Sequence, residues 1–290
     1  MLKVSRVLAP NPGPFTLEGT NTWIVGREPA AVIDPGPEDP GHVRVVARAA
    51  EPVGVILVTH GHPDHAPGAA QLAEETGAPV MALRPEQGQG SLRDDQVIDV
   101  GGAQLRCIRT PGHTADHVAF YEEETEALFT GDAVLGRGTT VINPPEGDLA
   151  AYLRSLTRMQ DLVPRTIFPG HGPTVFDAPA KLEEYVAHRA MRERQVLEAI
   201  KDGRRSIEDM VPVIYAEYPP ELHELASRQV LAQLIKLERE GRVARIGPAD
   251  NGRYEVVEPH PCQRCGKPAL PRSRYCGQCS LTVLQEGPAT

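Results

Sequence analysis

One seven-residue stretch, T-H-G-H-P-D-H at residues 59–65, constrains the fold of this chain more than any other. Four side chains that commonly bind metals fall within six positions of it: His60, His62, Asp64 and His65. The apolar run GVILV before it predicts a buried strand, and residues 66–77 after it predict a helix that ends at a glycine. The cluster therefore lies on a turn between a strand and a helix, where the backbone is held and the side chains can converge.

Imidazole nitrogens and carboxylate oxygens together favour zinc, iron or manganese. The ordinary alternative is a polar loop that happens to be rich in histidine. With ten histidines in 290 residues, chance is a poor explanation for four such groups in six positions.

Three more residues of types that bind metals each follow an apolar run that predicts a strand. His113 follows LRCIRT, Asp132 follows ALFT, and His171 follows TIFPG. Each lies beside a glycine, which allows a ligand to approach the backbone closely. Together with residues 59–65, they predict one metal site built from several strand ends.

Alternation of strands and helices in the first half predicts a layered core of both element types. Apolar runs at residues 3–10, 20–26 and 30–34 predict early strands, and residues 40–50 predict a helix. Later candidate strands are separated by short turns, which predicts antiparallel pairing: residues 79–83, 96–100, 103–109, 117–121 and 126–130. Cys107 stands within one of these apolar strands, so we expect it to be buried and inert.

The net charge of −9 is unevenly distributed. Residues 1–180 carry 13 basic and 23 acidic residues, which argues against a general polyanion-binding surface, whereas the tail is mildly basic and leaves room for a nucleic-acid contact. No apolar run approaches the length of a membrane span, and the first residues lack the apolar core of a signal peptide. We therefore expect a cytoplasmic protein with no membrane partner.

Five motifs occur in the order in which one large family carries them: Asp34, the H-x-H-x-D-H of residues 60–65, His113, Asp132 and His171. Over residues 1–175 the chain resembles the metallo-β-lactamase superfamily. More narrowly, it resembles the lactamase-beta-2-like endoribonucleases in stretches such as LEGTNTWIVG, TPGHTADH, GDAVLGRGTTVI and FPGHGP. The resemblance implies an α+β fold, an αβ/βα sandwich of two sheets with the metal site at one edge.

The same resemblance implies two adjacent Zn²⁺, Mn²⁺ or Fe²⁺ ions. The first would be held by His60, His62 and His113. The second would be held by Asp64, His65 and His171, and Asp132 would bridge the two. Asp64 would also act catalytically, by orienting a metal-bound hydroxide and accepting its proton. Asp34 would lie outside the direct ligands and support them.

The substrate is less constrained than the metals. True metallo-β-lactamases generally lack an aspartate at position 132, so the resemblance argues against β-lactam hydrolysis. Phosphodiesterases and thioesterases of the glyoxalase II type share the full ligand set. Only 38 residues separate Asp132 from His171, too few for the cap domain inserted in some RNA-processing nucleases. Polar residues near the site are candidate substrate contacts: Asn21, Thr22, His117 and Thr139. For His117, a packed strand histidine is the favoured interpretation.

The sequence divides into a catalytic domain (1–177), a connecting helix (178–202), a winged-helix-like domain (203–257) and a tail (258–290). In the winged-helix-like part, Ser206 and Asp209 have the spacing of a capping box, residues 220–243 have helical periodicity, and two short strands follow. Winged helices bind nucleic acid, but they also serve as dimerisation or packing modules.

Two C-x-x-C pairs in the tail predict a zinc ribbon. Cys262 and Cys265 are followed after ten residues by Cys276 and Cys279. Four thiolates at this spacing close a tetrahedral Zn²⁺ site with no open position, so the role of that zinc would be structural.

Three hypotheses follow. The first is a binuclear metal-dependent hydrolase that cleaves single-stranded RNA by metal-hydroxide attack on the phosphodiester. The second is a thioesterase, or other carbonyl-ester hydrolase, that uses the same metal pair. The third is a non-catalytic nucleic-acid-binding protein, which is disfavoured because no metal ligand is missing. The oligomeric state is left open.

Overall fold

The structure is a computed structural model that describes residues 2–247, 252–257 and 263–266. The chain forms two compact units, residues 1–188 and 189–290. The boundary falls inside the long helix that the sequence predicts after residue 177.

The first unit begins with a six-stranded sheet and two helices. In chain order these are β1 (Val4–Leu8), β2 (Asn21–Val25), β3 (Ala30–Ile33), α1 (Pro40–Ala49), β4 (Val53–Leu57), α2 (Gly68–Thr76), β5 (Val80–Ala82) and β6 (Gly90–Ser91). The strands lie side by side in that same order. β1, β2 and β3 pair antiparallel, and β3 to β6 pair parallel. Because parallel strands end at the same edge, β3 and β4 deliver the residues that follow them to one place.

A second sheet of five strands follows. Its elements are β7 (Val97–Val100), β8 (Ala103–Arg109), β9 (Val118–Glu122), β10 (Ala127–Gly131), α3 (Leu149–Asp161) and β11 (Thr166–Pro169). The strand order is β11-β10-β9-β8-β7, and all pairs are antiparallel except β10 with β11. The predicted antiparallel pairing is therefore confirmed for the strands at residues 96–130, but it was wrong for residues 79–83, which form β5 and pair parallel in the first sheet. The helix α3 was not predicted from the sequence.

The two sheets pack face to face through one apolar cluster. Trp23, Ile33 and Leu57 from the first sheet meet Phe120 and Phe129 from the second. Alternate residues of β3 and β4 point the other way and pack against α1 and α2 in a second cluster. Cys107 is buried between the sheets, as predicted, and burial raises the pKa of its thiol to about 12. Mixed α+β architecture with two stacked sheets is thus confirmed.

The second unit contains the end of α4 (Ala178–Lys201), followed by α5 (Ile207–Ile214), α6 (His223–Arg239), β12 (Val243–Ile246) and β13 (Arg253–Val256). The Ser206 side chain accepts a hydrogen bond from the backbone N–H of Asp209 and caps α5. β12 and β13 form an antiparallel hairpin, and their residues share a core with all three helices. These are the elements that the winged-helix prediction requires.

Three of the four tail cysteines, Cys262, Cys276 and Cys279, lie outside the described residues. Cys265 lies in an exposed turn. The zinc ribbon therefore stays a prediction. Within the part of the chain that the structure describes, no helix combines the length and the apolar character needed to cross a bilayer.

Replacement of Phe120 by alanine tests the packing between the sheets. The ring is fully buried, so Phe120→Ala should lower the free energy of unfolding of the first unit by about 3–5 kcal/mol. The single tryptophan, Trp23, lies in the same cluster, and its fluorescence during urea titration measures this unfolding. Phe15→Ala is the matched control, because that ring is 63% exposed and its loss should cost under about 0.5 kcal/mol. Equal losses for the two variants would contradict the described core.

Candidate metal centre

The predicted metal ligands converge at one edge of the two stacked sheets. Residues 59–65 follow β4, His113 lies between β8 and β9, and Asp132 directly follows β10. His171 follows β11, which pairs parallel with β10 and therefore ends at the same edge. The structure brings all seven side chains together in two neighbouring groups.

The first group contains His60, His62 and His113. The Nδ1 atom of His62 lies 3.0 Å from Nε2 of His60 and 3.0 Å from Nε2 of His113. Nitrogen ligands bound to one zinc ion at tetrahedral angles lie about 3.3 Å apart, which is close to these separations. The three nitrogens therefore fit a single metal ion.

The second group contains Asp64, His65 and His171. Nε2 of His65 and Nε2 of His171 are 3.2 Å apart. Oδ2 of Asp64 lies 3.1 Å from the His171 nitrogen and 3.4 Å from the His65 nitrogen. One carboxylate and two imidazoles at these distances also fit one metal ion.

Asp132 lies between the two groups. Its Oδ1 is 3.3 Å from Nε2 of His171 and 3.4 Å from Nε2 of His65, whereas its Oδ2 is 3.6 Å from Nε2 of His113. Oδ1 is buried and has no hydrogen-bond partner within the described protein. A buried acceptor in this state is costly unless a cation satisfies it, so the orphaned oxygen supports metal binding at this point.

In four of the histidines, the ring nitrogen that faces away from the ligand groups contacts another protein atom: His60, His65, His113 and His171. Nδ1 of His113 contacts the carbonyl oxygen of Val141 at 2.8 Å, and Nδ1 of His171 contacts that of Gly19 at 3.2 Å. A carbonyl only accepts, so Nδ1 of each ring carries a proton, and Nε2 is the ring atom that faces the ligand group. His62 has the opposite orientation, with Nδ1 in the group and Nε2 3.8 Å from a carboxylate oxygen of Glu146.

Asp34 orients one ligand of each group. Its backbone has a φ of +53°, a left-handed conformation that aspartate tolerates better than most residues. One carboxylate oxygen accepts from the backbone N–H of Thr59 at 2.8 Å, and the other accepts from His65 Nδ1 and from the Thr59 hydroxyl, also at 2.8 Å. Because the Thr59 hydroxyl donates its only proton to Asp34, it accepts from Nδ1 of His60 at 2.9 Å.

The two groups differ electrostatically in the metal-free protein. Burial alone would lower the pKa of His171, but the nearby carboxylates of Asp132 and Asp64 raise it to about 9. Burial is likewise outweighed at His65, whose pKa the carboxylates of Asp132 and Asp34 hold well above the ordinary range. Burial lowers the pKa values of His60 and His113. The first group is therefore ready to accept a cation, whereas the second carries protons.

Three of the four candidate substrate contacts are buried and bonded to the protein. The amide nitrogen of Asn21 donates to two carbonyls, those of Pro169 and Gly172, and the Thr22 hydroxyl donates to the carbonyl of Asp34. Both side chains are fully buried. This differs from their expected role as substrate contacts, because their polar atoms bind backbone carbonyls of the protein.

His117 is also fully buried, in agreement with its favoured interpretation. Its Nε2 accepts from the backbone N–H of Asp132 at 3.2 Å, and its Nδ1 contacts the Thr110 hydroxyl at 2.8 Å. It therefore fixes the backbone of the bridging residue and does not face a substrate. Thr139 is half-buried, and its contact with substrate stays a prediction.

Several supporting hydroxyls and one backbone requirement were not predicted from the sequence. Thr140 donates to the carbonyl of Asp132 at 2.8 Å, and Thr59 joins Asp34 to His60. Gly131 has a φ of +47°, and a Cβ there would lie 2.6 Å from the Thr59 hydroxyl and 3.0 Å from Nε2 of His117. The glycine lets Asp132 reach the metals, and the G-D pair in the sequence was its only signal.

Two stacked sheets with histidine and carboxylate groups converging at one edge define a metal-binding protein of the αβ/βα sandwich class. The chain belongs to the metallo-beta-lactamase superfamily: the family description "Metallo-beta-lactamase superfamily" matches residues 15–91 and 84–171. "Beta-lactamase associated winged helix domain" matches residues 206–251, which confirms the predicted winged helix. These matches establish a superfamily of hydrolases and do not distinguish the endoribonuclease group.

Relatives extend over most of the chain. It is 37% identical over 260 residues to the "Atrochrysone carboxyl ACP thioesterase" of Aspergillus chevalieri, covering 83% of each chain. It is 36% identical over 256 residues to the "Beta-lactamase-like protein 2 homolog" of Caenorhabditis elegans, covering 83% of this chain and 85% of the relative. The crystal structure of a metallo-beta-lactamase family protein from Thermus thermophilus is 25% identical, with a TM-score of 0.73 and coverage of 88% of this chain and 98% of that one.

The hydrogen bonds of Asp34 predict that Asp34→Asn weakens metal binding. The amide would place an N–H group opposite the donors of Thr59 or His65, so metal affinity should fall about 10- to 100-fold. Asp39→Asn is the matched control, because Asp39 caps α1 and asparagine caps a helix equally well. Competition with a chelator measures both affinities. Unchanged affinity in Asp34→Asn would show that the carboxylate does not orient the ligands.

The raised pKa values predict that filling the second group releases protons. A metal ion must displace the proton from His171, whose pKa is about 9, and from His65, so affinity at this group should rise from pH 6 to about pH 9. At neutral pH about two protons should leave per metal bound there, whereas His60 and His113 in the first group should release almost none. Calorimetry in two buffers of different ionisation enthalpy measures this number. Absence of proton release from both steps would contradict the charge states described.

Proposed function

We propose that this protein is a metal-dependent hydrolase whose substrates are acyl thioesters. The observation that carries the metal-dependent part is the position of Asp132, whose two oxygens face two separate ligand groups. One metal would be held by His60, His62 and His113. The other would be held by Asp64, His65 and His171, and Asp132 would bind both. When bound, two such metals polarise a carbonyl oxygen and lower the pKa of a water molecule.

Asp64 is the residue best placed to take a proton from the attacking water. Its side chain is 25% exposed, compared with 13% for Asp132 and 2% for Asp34, so it is the most accessible carboxylate of the three. Hydrogen bonds to His171 and His65 keep its pKa low, and the group is therefore ionised. An ionised carboxylate beside a bound water can orient the nucleophile and accept its proton.

The surroundings of the centre favour a neutral reacting group over a polyanion. Glu146 approaches His62 and is 58% exposed. A neighbouring cavity of about 340 Å³ reaches His60 and contains three acidic residues, Glu38, Glu86 and Asp116, against one cation, Arg84. Such negative potential repels a nucleic-acid backbone, but it leaves the carbonyl of a thioester unaffected.

The same cavity has the size and lining of a small-molecule pocket. Val58, Ala66, Ala82 and Leu83 contribute apolar surface to it. Its volume lies at the lower end of the range for organic ligands, which suits a short acyl group. The 37% identity to the "Atrochrysone carboxyl ACP thioesterase" supports the same substrate class.

Cleavage of single-stranded RNA stays a prediction from resemblance. In the described residues of the winged-helix unit, arginine side chains form ion pairs with carboxylates. Arg242 pairs with Glu193 and Glu240, and Arg205 pairs with Glu255. A helix that reads nucleic acid needs an exposed basic face, whereas most of α6 is buried or half-buried.

A direct comparison of substrates tests this proposal. Purified protein should hydrolyse an acyl-glutathione thioester, should lose that activity with a chelator, and should leave single-stranded RNA intact. Asp132→Ala should lower thioester hydrolysis at least about 100-fold, because both metals lose a ligand. Glu124→Ala is the matched control, since Glu124 is exposed in the turn between β9 and β10, at the end of these strands away from the metals.

The possible results distinguish an error in the metal assignment from an error in the substrate class. Full activity in Asp132→Ala would show that the metal assignment is wrong. RNA cleavage without thioester turnover, lost in Asp132→Ala, would retain the site and replace the substrate class.

A further inference from the structure

Thr20 lies directly behind the carboxylate of Asp64. Its hydroxyl oxygen is 3.3 Å from Oδ2 of Asp64, and its side chain is fully buried. Thr20 also forms a bridge with His171, and the carbonyl of its neighbour Gly19 accepts from Nδ1 of His171. This short segment therefore contacts two members of the second ligand group.

Asn11 fixes the direction in which the Thr20 hydroxyl donates. The backbone N–H of Thr20 donates to Oδ1 of Asn11 at 2.9 Å, which determines the orientation of the amide. The amide nitrogen then donates to the Thr20 hydroxyl oxygen, also at 2.9 Å. An amide nitrogen cannot accept, so the single hydroxyl proton of Thr20 is left for Asp64.

Two other polar atoms lie near Oδ2 of Asp64, and both are ring nitrogens that would bind the metal. Nε2 of His171 lies at 3.1 Å and Nε2 of His65 at 3.4 Å. Both rings already place a proton on Nδ1, toward Gly19 and Asp34, so a metal that displaces the second proton would bind Nε2 of each ring. Among the contacts found in the described part of the chain, Thr20 is thus the hydrogen-bond donor to Asp64 that is not itself a ligand.

We infer that Asn11 and Thr20 are positioning residues that hold the Asp64 carboxylate in one rotamer, facing the second metal group. Neither residue needs to touch the substrate. A carboxylate that both binds metal and accepts a proton loses efficiency when it rotates, because small displacements at a reacting centre have large kinetic effects. The inference rests on the proposed metal-dependent hydrolysis, but it is independent of whether the substrate is a thioester.

Three variants test the inference. Thr20→Val keeps the shape but removes the proton, Thr20→Ser keeps the proton, and Asn11→Asp keeps the acceptor for the Thr20 backbone but removes the amide donor. In Asn11→Asp the Thr20 hydroxyl should turn to the new carboxylate and away from Asp64. Thr157→Val is the control, because the exposed Thr157 hydroxyl donates to the carbonyl of Leu153 within α3 and contacts neither Asn11 nor Thr20.

Two measurements on the full chain distinguish positioning from general stabilisation. Thr20→Val and Asn11→Asp should lower kcat about 10- to 100-fold on the thioester, with KM within about twofold of wild type. In stepwise Co²⁺ titrations, one of the two binding steps at the histidine sites should weaken about tenfold while the other stays constant. Thr20→Ser should recover both values to near wild type, and Thr157→Val should change neither.

Wild-type kcat and metal affinity in Thr20→Val would overturn the inference, as would equal weakening of both metal steps. If Thr20→Val does not fold, Asn11→Asp decides: a wild-type profile for that variant overturns the inference. If the wild-type protein hydrolyses no thioester, the substrate proposal fails, and the Co²⁺ titrations still test the positioning of Asp64.

Discussion

The buried carboxylate of Asp34 is the contact on which the rest of the metal centre depends. It accepts from His65 directly and from His60 through the Thr59 hydroxyl, so one side chain orients a ligand in each of two groups. Asp34 directly follows β3 and has a left-handed backbone conformation. Because β4 runs parallel to β3, Thr59 at the end of β4 lies beside it. Strand pairing, turn geometry and ligand orientation are therefore one connected arrangement, and the ligands are held before a metal arrives.

Much of this arrangement was predictable from sequence because it rests on local patterns. Apolar runs ended by histidine or aspartate identified the strand ends that carry the seven ligands, and Ser206 and Asp209 identified the start of α5. The missed helix α3 also had a readable signal. Asp148 caps it, and Leu149, Tyr152 and Leu156 face inward at the spacing of an amphipathic helix.

The direction of each polar contact could not be predicted from the sequence. Asn21 and Thr22 lie in a predicted strand and were candidate substrate contacts, yet their side chains point inward to carbonyls on β11 and at Asp34. Thr20, one residue earlier, has its hydroxyl turned to Asp64. Alternation along a strand determines which side a residue faces, and only the register of β2 against its neighbours fixes this. Composition cannot distinguish these three polar residues.

Anomalous X-ray scattering from crystals of the metal-loaded protein tests the central claim most directly. Two peaks about 3.5–4 Å apart are expected, as in other two-metal sites. One should lie against His60, His62 and His113, the other against Asp64, His65 and His171, with Asp132 contacting both and Asp34 still bonded to His65. A single peak, or two peaks with Asp132 turned away from either, would contradict a shared centre organised by these residues.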